Sequence, residues 1–519
     1  MMLTLLVATT ALTAPLNIDC GRQLFVDDYL IAETNGVVRY WNRPVKAEDP
    51  VIWPGDGAGA AARPKGEKPA NLTCSSDGGI WWDPTLGKYR LWYQADWCGD
   101  ICYAESRDGI RWEYPDLGKV PGTNRVFADD DVDSWCVIPG YDTDKPYANW
   151  RLQISAPENG SDDTMWTSTD GRTFVKVWTG GISGDRTTCY YDPFRGNWVF
   201  SLREYRPETV GRCRLHFASK RFGGEGCSWH WTGIGKKKER PGREHLPVPT
   251  DVVACTNGAN RSLYSFNAVA YESVLLGVME VLYNTPGDNG DCCRRGLPKQ
   301  THLHYCFSRD GRTFVPRKEA DLSPAGWGTG KWDTGYLSPV GGICVIRDER
   351  LWFYYSAMRG DATETTPRQK DPEVGWRRNG MHFNGSVGVA SLRRDGFVGL
   401  VADGRGELTT NPVRFTGGHL FVNAECRFGS VAAEVLDESG NPIEGFALAD
   451  CTPVERRDET KAELRFCGDL AKLAGRAVRF RFKLHCGTLY SFWVSPSARG
   501  ESRGYLAAGG PDYPGLRDL

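Results

Sequence analysis

Five stretches of the chain repeat one pattern, and this repetition constrains the fold more than any other feature. Each stretch reads as a β-strand, a short turn, a returning strand and a third strand, with a spacing of roughly 50 to 90 residues. Four of the five close with an Asp-Gly turn, at 108–109, 170–171, 310–311 and 395–396. Aspartate caps such turns and glycine supplies the positive φ, so we interpret these dipeptides as structural. Repeats of this kind are typical of radial β-sheets, and we predict an all-β fold with a five-bladed β-propeller over residues 15–400.

The pattern changes after Gly396. Shorter runs with strand-like patterning follow, and most are separated by turns that contain Gly or Asp. Such a succession is typical of a β-sandwich, so we predict a C-terminal β-sandwich over residues 401–500. The last residues, 501–519, are rich in Gly, Pro and Arg, and we expect them to form a loosely ordered tail.

The first 14 residues, MMLTLLVATTALTA, are apolar and end in small residues before Pro15. This composition is typical of a secretory signal peptide. The run is too short to span a bilayer, and no later segment approaches the ~20 consecutive apolar residues that a membrane helix needs. We therefore expect an exported protein, secreted or periplasmic, without membrane insertion.

The 519 residues carry a net charge of −2 at pH 7. Nucleic acids and membrane surfaces attract strongly basic faces, so neither is an expected partner. Tryptophan is abundant, with 19 copies, and aromatic rings both fill β-sheet cores and stack on sugar rings. At any single tryptophan we favour the core interpretation. The sequence does not indicate an oligomeric state.

Seventeen cysteines are present, and in an exported chain this number predicts several disulfides with at least one unpaired thiol. Neighbouring candidates are Cys98 with Cys102, Cys292 with Cys293 and Cys451 with Cys467. Two histidines, His302 and His304, would share one face of a strand, but no paired CxxC spacing occurs, so we predict no metal site. No phosphate loop or dinucleotide fingerprint occurs either. We expect no cofactor and leave open a structural calcium ion in the channel.

One hairpin concentrates charge at its open end. Its first strand begins at Asp185 and its second strand ends at Arg203. These two positions lie at the same edge of a hairpin, so Asp185 and Arg186 should approach Arg203 and Glu204. The first strand of each propeller blade lines the central channel. The same rule, applied to every repeat, therefore gathers more polar residues at one mouth of the channel: Asp77, Asp133, Asn267, Glu280, Asp333 and Arg359.

Carboxyl groups that converge from several blades suit glycoside cleavage. This reaction needs one protonated carboxyl and one ionised carboxylate on either side of the scissile bond. Converging carboxylates raise one another's pKa, which helps to keep one of them protonated. The candidates for catalysis are Asp77, Asp133, Asp185, Glu204 and Glu280, and those for substrate binding are Arg186, Arg203, Asn267, Asp333 and Arg359. An ion pair between Asp185 and Arg203 with a purely structural role is an open alternative.

A Trp-Asp-Pro hairpin at 82–84, followed by Tyr-Ala-x-Ser-x-Asp-Gly-Ile-x-Trp at 103–112, resembles the blades of propeller glycoside hydrolases of families 32, 43 and 68. Further matching pieces lie at 24–30, 183–188, 191–195, 268–273 and 392–397. With them the whole chain resembles exported bacterial proteins described as family-32-like, and the region from 411 onward resembles the sandwich domain of that group. The resemblance implies a glycoside hydrolase that acts on a poly- or oligosaccharide. It also implies acids at the starts of the first three blades, at Asp77, Asp133 and Asp185.

Several family 32 motifs are missing. The motifs Trp-Met-Asn-Asp-Pro-Asn and Arg-Asp-Pro do not occur, and a Glu-Cys pair occurs only at 425–426, beyond the predicted propeller. Fructan hydrolysis is therefore not expected. Two other functions remain: a non-catalytic, lectin-like carbohydrate-binding propeller, and a sialidase-like enzyme that would use Arg186, Arg203 and Arg359 around a carboxylate. A hydrolase needs two carboxyl groups within about 10 Å of each other, and a lectin does not.

Overall fold

The structure is a computed structural model that describes residues 14–53, 57–70, 73–128, 132–155, 161–206, 211–230, 245–247, 249, 251–254, 261–283, 292, 296–361 and 379–519. The predicted signal peptide therefore lies outside the described residues, apart from Ala14. The chain divides into two compact units. The first contains the chain up to Asn42 with Arg393–Tyr505 and Arg517–Leu519, and the second contains Arg43–Leu392 and Leu506–Leu516.

Four short strands open the chain: β1 (Leu16–Asn17), β2 (Gln23–Leu24), β3 (Ile31–Asn35) and β4 (Val38–Trp41). They belong to the first unit, because β3 and β4 form antiparallel ladders with the strand at 398–410. The predicted boundary at residue 15 differs from this division, since the second unit begins only at Arg43.

The second unit starts with β5 (Val45–Lys46) and a short helix, α1 (Gly57–Ala61), and continues with β-sheets in chain order. The first sheet contains β6 (Thr73–Asp83), β7 (Lys88–Ala95) and β8 (Asp100–Ser106). The second contains β9 (Ser134–Ile138), β10 (Trp150–Ser155), β11 (Ser161–Ser168) and β12 (Val175–Ser183), with a 3-10 turn at Pro146–Ala148. The third contains β13 (Thr188–Asp192), β14 (Asn197–Arg206), β15 (Gly211–Ser219) and β16 (Asp251–Val253).

The fourth sheet contains β17 (Arg261–Glu272), β18 (Val274–Tyr283), β19 (Thr301–Ser308) and β20 (Val315–Pro316). The fifth contains β21 (Gly335–Arg347), β22 (Arg350–Met358) and β23 (Gly385–Arg393), with a 3-10 turn at Asn379–His382. The early strand β5 completes this last sheet, because Ala390 of β23 pairs with Lys46. A segment from the start of the unit thus closes the sheet formed at its end.

The innermost strands close the sheets into a ring. β6 contacts β9, β9 contacts β13, β13 contacts β17, β17 contacts β21, and β21 returns to β6. This is the five-bladed β-propeller that the repeats predicted. Six fully buried tryptophans fill its interior, at 81, 92, 135, 150, 198 and 229, which confirms the core interpretation for these six. Trp92 also links two blades, since its indole N–H donates a hydrogen bond to the carbonyl oxygen of Gly171 in the next blade at 2.9 Å.

The Asp-Gly turns are structural, as predicted. In the turn at 310–311, Oδ1 of Asp310 accepts the backbone N–H groups of Arg312 and Thr313 at 2.9 and 2.7 Å, and Gly311 has a φ of 73°. The turn at 395–396 differs, because there the positive φ, 59°, belongs to Asp395 itself. This carboxylate is buried and pairs with Arg22 at 3.1 Å within the first unit.

The prediction of a loosely ordered tail is wrong. Residues Leu506–Ala508 are fully buried in the second unit. Ala507 N–H donates to the carbonyl oxygen of Ala270, and Ala508 N–H donates to that of Cys344. Trp82 N–H in turn donates to the carbonyl oxygen of Ala508 at 2.9 Å. Small side chains let this segment approach the ends of inner strands from three blades.

The first unit is all-β. Its later strands are β24 (Val398–Thr410), β25 (Val413–Arg414), β26 (His419–Glu425), β27 (Ser430–Leu436), β28 (Cys451–Thr452), β29 (Val454–Glu455), β30 (Asp458–Phe466) and β31 (Arg479–Ser495), whereas the last strand, β32 (Tyr505–Leu506), pairs with β17 in the fourth sheet. The 3-10 turns Leu448–Asp450 and Leu470–Leu473 connect them. The long strand β31 pairs with β2, β24, β26 and β27, so these strands form one connected sheet. The division into the two layers of a sandwich stays a prediction.

The expected disulfides do not appear among nine cysteines, which carry free thiols: Cys136, Cys189, Cys213, Cys227, Cys344, Cys426, Cys451, Cys467 and Cys486. The predicted pair of Cys451 with Cys467 is therefore wrong. Most of these thiols lie buried within sheets, where cysteine behaves as a small apolar side chain. Of the predicted pair Cys292 with Cys293, the second residue lies outside the described part of the chain.

Candidate functional site

The candidate site begins with Asp77 on β6. The ladder between β6 and β7 is irregular between Cys74 and Gly79, and Asp77 lies in this stretch with a φ of 63°. Aspartate tolerates this left-handed conformation better than most residues. Its Oδ1 accepts a hydrogen bond from Ser265 Oγ at 2.9 Å, and its Oδ2 lies 3.2 Å from Arg186 Nη1. Burial raises the pKa of Asp77, although the charge of Arg186 opposes this rise.

Arg186 is the centre of the cluster. It also has a positive φ, 61°, and its side chain is almost completely buried. Its backbone N–H donates to Ser134 Oγ at 2.6 Å. The guanidinium carbon lies 5.2 Å from the ring centre of Trp97, 5.5 Å from that of Tyr264 and 5.8 Å from that of Tyr336. Because a guanidinium stacks well on aromatic rings, this cage holds a buried cation between residues of all five blades.

Asp133 and Asp185 form the part of the cluster that solvent reaches. The Asp185 side chain is 24% exposed, and its Oδ2 lies 3.1 Å from Arg203 Nη1. Asp133 precedes β9 and accepts a hydrogen bond from the Cys98 thiol at 3.4 Å. The carboxyl groups of Asp133 and Asp185 hydrogen-bond to each other. The predicted convergence of these acids is therefore present.

The environment separates the pKa values of this pair. Burial and the adjacent charge of Asp185 raise the pKa of Asp133 to about 7. Burial acts in the same direction on Asp185, but the hydrogen bond from Asp133 and the charges of Arg186 and Arg203 outweigh it and lower the pKa of Asp185 to about 2. Near neutral pH the pair thus offers a carboxyl that still holds a proton beside an ionised carboxylate, which is the usual arrangement for acid–base chemistry.

Glu280 lies deeper, on β18 opposite Ser265 of β17. It is fully buried, and neither carboxyl oxygen has a hydrogen-bond partner among the described residues. Burial raises the pKa of Glu280 to about 8, while the charge of Arg186 opposes the shift. At neutral pH this group is therefore a neutral carboxylic acid held close to the charged centre.

Several residues of the cluster were not predicted. The carbonyl oxygen of Tyr264 accepts a hydrogen bond from Arg214, its hydroxyl accepts one from Lys299, and the same hydroxyl is 2.9 Å from that of Tyr336. Trp97 stacks on His382 with 3.8 Å between ring centres. Aromatic residues in strands usually indicate core positions, so the aromatic residue types alone did not indicate that these residues belong to a site. Lys299 lies two residues before the third strand of its blade, β19, and the rule for first and second strands does not cover this position.

Four predicted residues form no hydrogen bond or ion pair with the acids of the cluster in the described part of the chain. Asp333 forms an ion pair with Lys46 at the edge of the fifth blade. Glu204 follows Arg203 in β14, so it points to the opposite face of the sheet, and it accepts its bond from the Tyr205 N–H at 2.8 Å. The remaining two have no contact with the acids among the described residues: Asn267 accepts the Ala268 N–H at 2.8 Å, and Arg359 is exposed at the end of β22.

Other parts of the described chain offer less chemistry. A groove of about 550 Å³ in the first unit is lined by side chains that include Arg405, Glu407, Lys483 and His485, but by none of the predicted site residues. No group of three or more His, Cys, Asp or Glu within the described ranges could hold a metal ion. No helix there is long and apolar enough to cross a membrane. A structural calcium ion stays a prediction.

Comparisons with known proteins extend this description. No protein-family model matches the chain, and no curated protein matches it. Solved structures do resemble it. An exo-β-1,3-galactanase from Phanerochaete chrysosporium, solved with β-1,3-galactotriose, is 9% identical, with 84% of this chain and 98% of that chain covered and a TM-score of 0.35. A thermostable family-43 glycoside hydrolase is 11% identical, with 64% and 94% covered and a TM-score of 0.38.

A third similar structure is a mannose phosphorylase from Leishmania mexicana, in complex with phosphate. It is 10% identical, with 68% of this chain and 89% of that chain covered and a TM-score of 0.39. The assignment of five blades rests on the strand order of this chain itself. The narrower family-32-like grouping stays a prediction.

Proposed function

We propose that the protein is an exported glycoside hydrolase that cleaves a poly- or oligosaccharide at the mouth of its propeller. The observation that carries this proposal is the contact between Asp133 and Asp185, in which burial and the adjacent charge of Asp185 raise the pKa of Asp133, while the hydrogen bond from Asp133 and the neighbouring arginines lower that of Asp185. A binding protein has no need of such a pair, whereas glycoside hydrolysis needs one carboxyl of each kind.

The two acids take different roles in the proposed reaction. Asp133 holds a proton up to near-neutral pH and donates it to the oxygen of the leaving sugar. Asp185 is ionised and acts on the anomeric carbon, either directly or through a water molecule. In the structure the two carboxyl groups lie within hydrogen-bonding distance of each other, whereas a glycosidic bond between them needs at least about 5 Å. Substrate entry must therefore replace their mutual hydrogen bond.

Arg186 and Arg203 keep Asp185 ionised in this proposal. Arg203 Nη1 lies 3.1 Å from Asp185 Oδ2, and Arg186 Nε lies 3.9 Å from Asp185 Oδ1. Asp77 fixes Arg186 by its ion pair and so acts as a positioning residue. A purely structural ion pair between Asp185 and Arg203 would show the same contact. Only the activity of variants therefore distinguishes a structural role of this pair from a catalytic one.

The test is a panel of polysaccharides incubated with the purified protein and with Asp133→Asn and Asp185→Asn. We expect release of reducing ends with the unmodified protein and a loss of at least about 100-fold in each variant, since each removes one catalytic carboxyl. Asp333→Asn is the matched control, because this carboxylate pairs with Lys46 away from the acids. Glycan binding without release, retained in all variants, would instead establish the lectin-like function.

A further inference from the structure

Among the described residues, the mouth of the channel holds more positive charge than its acids balance. Five cationic side chains gather there: Arg186, Arg203, Arg212, Arg214 and Lys299. Two of them have a carboxylate partner, since Arg186 pairs with Asp77 at 3.2 Å and Arg203 pairs with Asp185 at 3.1 Å. The other three are held in a different way.

Arg214, Arg212 and Lys299 surround Tyr264 without a carboxylate within ion-pair distance in the described part of the chain. Arg214 is fully buried and donates to the carbonyl oxygens of Arg186, Asp185 and Tyr264. Lys299 is 4% exposed and donates to the Tyr264 hydroxyl at 3.0 Å. The Arg212 guanidinium lies 4.8 Å from the centre of the Tyr264 ring, and the Lys299 ammonium lies 4.7 Å from it.

The remaining acids of the cluster do not cancel this excess. Burial raises the pKa of both Asp133 and Glu280, so each is largely neutral below about pH 7. Burial lowers the pKa of Arg214 to about 10; the charges of Asp185 and Asp77 oppose this shift, while the nearby charges of Arg203 and Arg212 add to it. Like charges therefore repel one another here, and a negative group placed among them would relieve that repulsion.

We propose that this mouth binds an anionic group of the sugar substrate, a carboxylate or a sulfate ester, between Lys299 and Arg212 beside Tyr264. The inference rests on the proposed function and narrows its substrate to an acidic saccharide. An ammonium and a guanidinium donate several hydrogen bonds each, and both oxygens of a carboxylate or sulfate can accept them. The ring of Tyr264 lies within 4.8 Å of both cations and so helps to fix their positions.

The test compares binding of neutral and acidic monosaccharides by calorimetry: D-galactose, D-galacturonate, D-glucose, D-glucuronate and galactose 6-sulfate. We expect at least one acidic sugar to bind at least 10-fold more tightly than its neutral counterpart, and we expect salt to weaken that binding. Galacturonate or glucuronate as the preferred ligand identifies a uronate, and the sulfate ester identifies a sulfated sugar. Equal affinities, or no detectable binding of any acidic sugar, would overturn the inference.

Variants locate the effect. Lys299→Met keeps the length of the side chain and should reduce the preference for the acidic sugar at least 5-fold. Arg212→Met should act in the same direction, and because Arg212 is only half-buried it provides the test if Lys299→Met does not fold. Lys331→Met, at an exposed lysine of the same unit, is the control and should change nothing. A preference that survives both Lys299→Met and Arg212→Met would contradict this site.

These measurements separate the inference from the proposed function. A preference for acidic sugars without hydrolysis of any polysaccharide would leave the anion site in place and contradict the hydrolase. Hydrolysis of neutral polysaccharides by a protein without that preference would support the hydrolase and contradict the anion site.

Discussion

Buried carboxyl groups set the balance of charge at the residue scale. Asp77, Asp133, Asp185 and Glu280 occupy neighbouring positions, yet within the described ranges only Asp77 and Asp185 have arginine partners. Removing an ion from water without a partner costs several kcal/mol, so an acid in this position keeps its proton instead. At one and the same pH, some of these four carboxyl groups are therefore ionised and others are neutral.

Glu280 should make the protein less stable as the pH rises. Its pKa is about 8 in the folded protein and 4.5 as the ordinary value, so the unfolded chain loses this proton first. The folded state is therefore disfavoured progressively between about pH 4.5 and 8, by up to about 3 kcal/mol at pH 7. Glu280→Gln removes the ionisation, and we expect its unfolding free energy to exceed that of the unmodified protein at pH 7 but to match it at pH 4. A constant difference across this range would contradict the assignment.

Cys98 should tune the alkaline limb of the pH–activity profile. Its thiol donates to Asp133 Oδ1 and so favours the ionised form of this carboxyl. Cys98→Ala removes the donor and should raise the pKa of Asp133, which would move the loss of activity on the alkaline side to higher pH by about half a unit. Cys98→Ser keeps a donor and is the control. A shift to lower pH, or an equal shift in both variants, would rule out this role.

The rule that the start of the first strand and the end of the second strand of each blade open at one mouth of the channel located the charged residues of the site. It did not locate the aromatic residues around them. Asp77, Asp133, Asp185, Arg186 and Arg203 come together because hairpin geometry fixes which ends meet. The same rule also predicted Asp333 and Glu204 as site residues, but the structure places them away from the acids. A shift of one or two residues along a strand changes the face that a side chain occupies, and the rule does not resolve such a shift. The aromatic cage around Arg186 could not be predicted, since aromatic residues in strands are common in cores.

At the scale of elements, the turns between strands also join neighbouring blades. Gly109 follows Asp108 in the first blade, and its carbonyl oxygen accepts a hydrogen bond from the Tyr354 hydroxyl of the fifth blade at 2.7 Å. The repeated Asp-Gly turns were predicted from the sequence because both residues have a local reason to be there. Their contacts between blades were not, because these depend on how the ring closes.

Gly109→Ala should test this junction. A Cβ at Gly109 would lie 2.4 Å from the Tyr354 hydroxyl oxygen, in addition to the strain of its φ of 70°. Gly87→Ala is a matched control, since Gly87 has a φ of 60° and no atom within 4 Å of the added carbon. Both changes should cost about 1 kcal/mol through the backbone, and Gly109→Ala should cost at least about 1 kcal/mol more. Equal losses in chemical denaturation would show that the contact has no effect.

At the scale of the whole molecule, the end of the chain completes the propeller. Its hydrogen bonds to Trp82, Ala270 and Cys344 lie near the ends of β6, β17 and β21, whereas Asp77 and Ser265 lie in the first halves of β6 and β17. The C-terminal segment and the acids therefore occupy opposite ends of the inner strands. The composition of residues 501–519 suggested a loosely ordered tail. Composition does not show that the small residues of this segment permit a close approach to neighbouring backbones.

Truncation should show this contribution. A chain that ends at Gly504 loses the bonds of Ala507 and Ala508, and we expect it to unfold at a lower temperature than the full chain. A chain that ends at Leu516 keeps these bonds and is the control, which isolates the effect of the buried segment. Equal unfolding temperatures for the two truncated chains would contradict the structural role of residues 505–516.

The division of labour between Asp133 and Asp185 is the central claim, and leaving-group chemistry tests it most directly. The measurement compares hydrolysis of two glycosides of the sugar that the panel identifies, one with an alcohol leaving group and one with an acidic phenol. Asp133→Asn should lose at least about 100-fold on the alcohol but little on the phenol, because a phenolate leaves without a proton. Asp185→Asn should lose activity on both. Equal losses on both glycosides in Asp133→Asn would contradict its role as the proton donor.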